Sequence, residues 1–297
     1  MVSFFIPLKK DFQLTENQWD EYTLIIPCVS VGNVPQLTVD LLVNTFLKIN
    51  DFDASKEKDL QLVGYIRSKH VYPFAGPDPF ALHGSMLATS IQVFASDSKK
   101  LVIIQQRSPI YQEHRNDFYD ELINWISPQK FSQIIFLSSS FDHYLSPDIG
   151  VGTNFPIKYM GSNLDQQLQM YLEEKLDINP IQSVDPCKMN DETDRKIHLP
   201  GSGSARAYLK CFNAALKSRQ TKLICLVMYC SEGDNRLHSF KMADKIAKLI
   251  NRSEQVLKLK PMRLDDESGD CGQGEYEWSV PFSWRAMFGD EPPSEIF

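Results

Sequence analysis

The sequence predicts an α/β fold, with a central, largely parallel (mixed) sheet covered by helices on both faces. Two observations carry this. From residue 22 onward, short β-branched apolar runs alternate with longer runs whose apolar residues recur at helical spacing. Because the short runs are apolar enough to be buried, helices interleaved between them require a sheet with both faces covered.

The elements follow in order. YTLIIPCVSV (22–31) reads as a buried strand, and the turn GNVP leads into QLTVDLLVNTFLKI, where Leu37, Leu41, Leu42, Thr45 and Phe46 share one helical face. QLVGYI (61–66) reads as a second strand, followed by VYPFAGPDPFALHG, a loop too rich in Pro and Gly for regular structure. TSIQVFAS (89–96) and KLVIIQQR (100–107) flank DSK as a hairpin. FYDELINWI (118–126) is an amphipathic helix, and FSQIIFLSSS (131–140) is a buried strand that the helix reaches by a crossover connection.

FPIKYM (155–160) reads as a further strand and NLDQQLQMYLEEKL (163–176) as a helix, while IQSVDPCKMNDETDRK (181–196) is polar and irregular. IHLPGSGSARAYLKCFNAALKSR (197–219) is a turn and a helix, TKLICLVMYC (221–230) the most strand-like run of all, and RLHSFKMADKIAKLIN (236–251) a last helix. No break in composition divides the chain, so residues 1–297 are expected to form one α/β domain, with an N-terminal extension over 1–21 and a C-terminal tail over 289–297.

Composition excludes several function classes. With 42% hydrophobic and 23% charged residues, the 297-residue chain has the makings of a sizeable core. A net charge of -7 argues against nucleic-acid binding, whose affinity comes mainly from Lys and Arg on phosphates. No apolar run reaches the ~20 residues of a membrane span, and the start of the chain has the reverse order of a secretory signal, so a cytosolic or nuclear protein is expected. The six cysteines form no CxxC pair and read as reduced core thiols. The six histidines form no HExxH-like pair, so no metal or other cofactor is expected.

Three stretches invite a catalytic reading. FLSSSFDHY places Ser138, Ser139 and Ser140 at a strand end beside Asp142 and His143, but lacks the GxSxG elbow of a serine hydrolase. Hydroxyls that satisfy loop backbone groups explain the same residues. LPGSGSARAYL has Gly201 and Gly203 before a helix, yet Arg206 stands where a GxGxxG motif needs its third glycine. A glycine turn with Ser204 as helix N-cap accounts for it. CSEGDNRLHS repeats the device, with Glu232 and Asp234 unsuited to phosphate. No acid, base and anion site converges, so no catalytic residue is expected; the alternative is a nucleoside- or phosphate-ester-processing enzyme built on the strand-end serines.

Taken together, PCVSVGNVPQLTVDLL (27–42), IIFLSSS (134–140), HLPGSGSARAYL (198–209), SEGDN (231–235) and VPFSWRAMFG (280–289) resemble the proteasome assembly chaperone 2 family, in the family's order. The resemblance implies a three-layer α/β/α sandwich and a non-enzymatic chaperone paired with proteasome assembly chaperone 1. It also implies that the heterodimer binds α-subunits of the proteasome core particle, promotes their ring and prevents off-pathway association of α-rings. Family chaperones use C-terminal tails with a hydrophobic-Tyr-any-residue pattern, whereas here Glu295 and Ile296 hold the first two places, before Phe297. The candidate protein-binding residues are Glu295, Ile296 and Phe297, together with the aromatic Trp284 and Phe288 of SWRAMF; the alternative for both groups is packing on the domain's own core.

Overall fold

The computed structural model describes residues 3–9, 15–48, 60–81, 83–144, 155–181, 199–252, 259 and 275–284. Its strands are β1 (Phe5–Pro7), β2 (Thr23–Pro27), β3 (Gln61–Ile66), β4 (Ala75–Gly76), β5 (Ala88–Thr89), β6 (Ile91–Ser96), β7 (Leu101–Gln106), β8 (Gln133–Phe141), β9 (Ile157–Ser162), β10 (Asn179–Pro180) and β11 (Lys222–Cys230). Nine of them form one sheet in the order β1-β3-β6-β7-β2-β8-β11-β9-β10, and β4 pairs with β5 apart from it. The four central strands β7, β2, β8 and β11 run parallel. Antiparallel pairing adds β6, β3 and β1 on one side and β9 on the other.

The helices are α1 (Val34–Lys48), α2 (Arg115–Ile126), α3 (Gln166–Met170), α4 (Ala205–Leu216) and α5 (Arg236–Ile250). Along β2 the side chains alternate between two cores, as strand geometry requires. Ile25 joins Ile103, Ile135 and Ile224 under α1 and α5, with Leu168 of α3. Leu24 and Ile26 join Val102, Phe136 and Val227 under α2 and α4, where Phe118, Leu122, Tyr208 and Phe212 are buried. The expected three layers are present, with β2, β8 and β11 at their centre. Among the described residues, no helix is long and apolar enough to cross a membrane.

Three local features depart from the sequence reading. The 163–176 helix is α-helical only over Gln166–Met170 and continues as a π-helix over Tyr171–Lys175. Ser204 occupies the N-cap position of α4 but makes no capping hydrogen bond, because its hydroxyl pairs instead with that of Tyr119 at 3.0 Å. The described residues 3–9 and 15–21 pack on the domain and are not a bare extension: β1 is an edge strand on β3, and Trp19, 1% exposed, stacks on Phe131 and meets Trp125 edge-on.

Candidate functional site

Open α/β sheets bind ligands outside the carboxyl ends of their parallel strands. Here the ends of β2, β8 and β11 lead into the loops at 28–33, 142–144 and 231–235, and the 199–204 turn closes over them. A cleft of about 800 Å³ lies at this end, with Arg115 and Glu232 as its charged side chains among backbone and small residues of the 29–33 and 201–203 turns. It is large enough for a small molecule, but the strand-end serines lie beneath it and do not line it.

The three serines of β8 are fully buried. Ser138 donates to the Ser202 carbonyl at 2.9 Å, Ser140 to the Pro200 carbonyl at 2.9 Å, and Ser139 to the Val31 carbonyl while lying 2.8 Å from the Ser30 hydroxyl. Each hydroxyl thus latches a loop to the sheet, satisfying carbonyls that burial would otherwise leave unpaired. His143 contacts Asp142 at 3.9 Å, with more than half of its side chain exposed, while the serine protons go to main-chain oxygens. A nucleophile needs its base within hydrogen-bond reach; this cluster is a clasp.

The glycine turns serve the same clasp. Gly32 has φ +66°, and a β-carbon there would run into Asn235; Gly203 has φ +60°, and a β-carbon would strike the Val29 carbonyl. Only glycine combines that backbone with that approach. The turn also consumes N–H groups that a phosphate would need, since Val31 donates to Gly201, Ser202 to Leu199 and Ala205 to Ser202. Cys28 and Cys230 border this end as buried thiols, and Cys225 is buried further along β11. Burial pushes Cys28 well above the usual thiol range, Cys225 up to about 12 and Cys230 to about 11, so none is a thiolate at neutral pH. Cys187 and Cys271 lie outside the described residues.

The second feature is the segment 275–284, docked across α1 and α5. Asp244 of α5 accepts from the Trp278 indole and from the Glu275 amide, both at 2.8 Å. Asn44 donates to the Ser279 carbonyl at 2.7 Å, Thr45 accepts from the Ser279 amide at 2.9 Å, and Ser283 donates its amide to Pro79. The structure places Trp284 in the core, 1% exposed and edge-on to Phe240. A side chain so buried is an anchor for its own segment and not a surface offered to a partner. Phe288, Glu295, Ile296 and Phe297 lie outside the described residues.

Burial raises the Asp244 carboxyl above its ordinary range, against the opposing effect of its two donors. Its folded pKa thus exceeds its unfolded one, so the native state holds this proton more readily, and the contribution of Asp244 to stability falls as pH rises through that window. Wild type should therefore gain stability relative to Asp244→Asn as pH is lowered from 7 toward 4. Urea unfolding at several pH values checks this, and a difference independent of pH would contradict the assigned shift.

A family model described as PAC2 family matches residues 24–250. A protein called proteasome assembly chaperone 2 from Danio rerio is 28% identical over 279 residues, which cover 93% of this chain and 95% of that protein. Its counterpart from Nematostella vectensis is 31% identical over 242 residues, 78% of this chain and 89% of that protein. Among solved structures, Pyrococcus furiosus PbaA, an archaeal homolog of proteasome-assembly chaperone, superposes with a TM-score of 0.53 at 14% identity, covering 84% of each chain.

Proposed function

As the chain belongs to the PAC2 family, we propose that it is a chaperone for assembly of the proteasome core particle, acting by binding and not by catalysis. The observation that carries this is similarity along nearly the whole length to relatives called proteasome assembly chaperone 2. The carboxyl end of the sheet supports it, since the serines buried beneath the cleft are committed to loop carbonyls and the glycine turn hydrogen-bonds within itself.

The proposal extends to the partners. The chain pairs with proteasome assembly chaperone 1, and the heterodimer binds α-subunits in the cytoplasm and nucleus, promotes their ring and prevents off-pathway association. Contacts are assigned to Phe288, Glu295, Ile296 and Phe297, with Trp284 fixing the segment from which they extend. Ile296 and Phe297 supply apolar area worth a few kcal/mol gross at ~25 cal/mol per Å², of which ordering that segment consumes part.

The test is capture of purified α-subunits by the reconstituted heterodimer. Deleting residues 295–297 should weaken capture at an unchanged melting temperature; lost stability with unchanged capture per folded molecule would remove those residues from the interface. Ser139→Ala should cost about 1 kcal/mol through the lost hydrogen bond to the Val31 carbonyl, which keeps only the weaker Cys230 thiol donor at 3.8 Å, with capture intact for the folded fraction. A hydrolytic or phosphorolytic activity abolished by Ser139→Ala would overturn the binding-only reading.

A further inference from the structure

Away from the clasp, the turn after β3 meets the start of α2. An isolated bridge between Val71 and Ile110, and a hydrogen bond from the Tyr111 amide to the His70 carbonyl at 2.9 Å, hold the two segments together. This brings His70, His114 and Asp117 to one point, with one ligand-type atom from each lying within 4.8 Å of the others. Asp117 Oδ2 is 3.9 Å from His70 Nδ1 and 3.5 Å from His114 Nδ1.

Two observations separate this cluster from a chance meeting of polar side chains. His70 is 4% exposed, and its Nδ1 is buried with no hydrogen-bond partner among the described residues. A buried nitrogen left this way costs free energy unless something binds it. On the other side of the ring Nε2 lies 3.6 Å from Glu121 Oε1, just beyond hydrogen-bond length, and Glu121 Oε2 accepts from the Ser68 hydroxyl at 2.7 Å. A carboxylate at Nε2 favours the tautomer that carries its proton there and leaves the Nδ1 lone pair directed at Asp117 and His114. Metal-bound histidines are oriented by such carboxylates.

We propose that His70 Nδ1, His114 and Asp117 form a site for a divalent transition-metal ion of the zinc type, with Glu121 as the positioning carboxylate. The donor set suits it, since two imidazoles and one carboxylate are borderline ligands that zinc accepts in tetrahedral geometry. Bonds of about 2.0–2.1 Å put tetrahedral ligands ~3.4 Å apart, so the two spacings to Asp117 need little adjustment. That adjustment falls on His114 and Asp117, whose side chains are 48% and 63% exposed, while buried His70 is the fixed floor. Their exposure also gives the ion a route in and leaves the fourth position to water. A bound ion would clip the β3 turn to α2, tying the antiparallel edge of the sheet to a helix that covers its face.

The test uses the full chain, stripped with chelator and titrated with Zn²⁺ by calorimetry, and with Co²⁺ by visible absorption. Wild type should bind one ion that His114→Ala, at an exposed position, weakens at least ~100-fold, and that Glu121→Gln weakens ~10-fold. Co²⁺ should give the bands of a tetrahedral nitrogen and oxygen site without thiolate charge transfer. His70→Gln provides a second loss, read only after circular dichroism confirms its fold. Equal affinity in wild type and His114→Ala, no binding by wild type, or a thiolate band would each overturn the proposal.

Discussion

Replacing Trp284 with alanine should lower the unfolding free energy by about 3–5 kcal/mol, the range for truncating a fully buried large aromatic. The indole packs edge-on against Phe240 of α5 and belongs to the core beneath α1 and α5. Its Nε1 is buried without a hydrogen-bond partner among the described residues, so Trp284→Phe should cost less than size alone implies, because it removes an unpaired donor together with the lost volume. The alanine variant should also weaken α-subunit capture beyond what the unfolded fraction explains, since it releases the segment from which Phe288 and residues 295–297 extend. Urea unfolding with capture measured on the folded fraction separates the two effects. A stability loss below about 1 kcal/mol would mean that the indole is not the anchor described.

Replacing Arg107 with methionine should cost a similar ~3–5 kcal/mol, because it leaves a buried charge without its counter-ion. Arg107 grips Asp40 of α1 through both terminal nitrogens, at 2.7 and 3.1 Å, and Asp40 is 4% exposed. Gln105 also donates to Asp40 at 2.7 Å, but a neutral amide does not offset a carboxylate's loss of water and cation together. The double variant Arg107→Met/Asp40→Leu should recover most of the loss, as apolar replacement of a buried pair is often neutral. No recovery would place the contribution of Arg107 in the packing of its side chain and not in the pair.

What the sequence made legible follows from what each signal depends on. TLIIP, IIFL and KLICLVMYC were readable as strands because both faces of the central sheet are covered, and the apolar run is then continuous. The same run carries no sign of direction, so the antiparallel pairing of β9 with β11 needed the structure. β1 is three residues long and sits at an edge, too short for a periodic signal. The π-helix at Tyr171–Lys175 leaves no mark in spacing because it changes hydrogen-bond register within an ordinary amphipathic run.

The site divides in the same way. The clasp was readable in its plainer form, since serines at a strand end followed by glycine turns suggest hydroxyls that serve the backbone. The role of Ser204 was not, because the competing hydroxyl belongs to Tyr119, far away in sequence. Trp284 was legible as an aromatic of consequence, yet whether it faces outward or inward depends on the docking of residues 275–284 by Asp244, Asn44 and Thr45. His70 and His114 have no motif spacing, because a bridge between Val71 and Ile110, and not a shared helix face, brings them together.

The most direct test of the assembly role is recovery of a tagged copy of this chain from cells, with particles resolved by size. α-Subunits and a partner chaperone should accompany the tag in immature particles, and finished proteasomes should carry no tag. α-Subunits missing from the tagged fraction altogether, or tag retained equally on finished particles, would contradict that role.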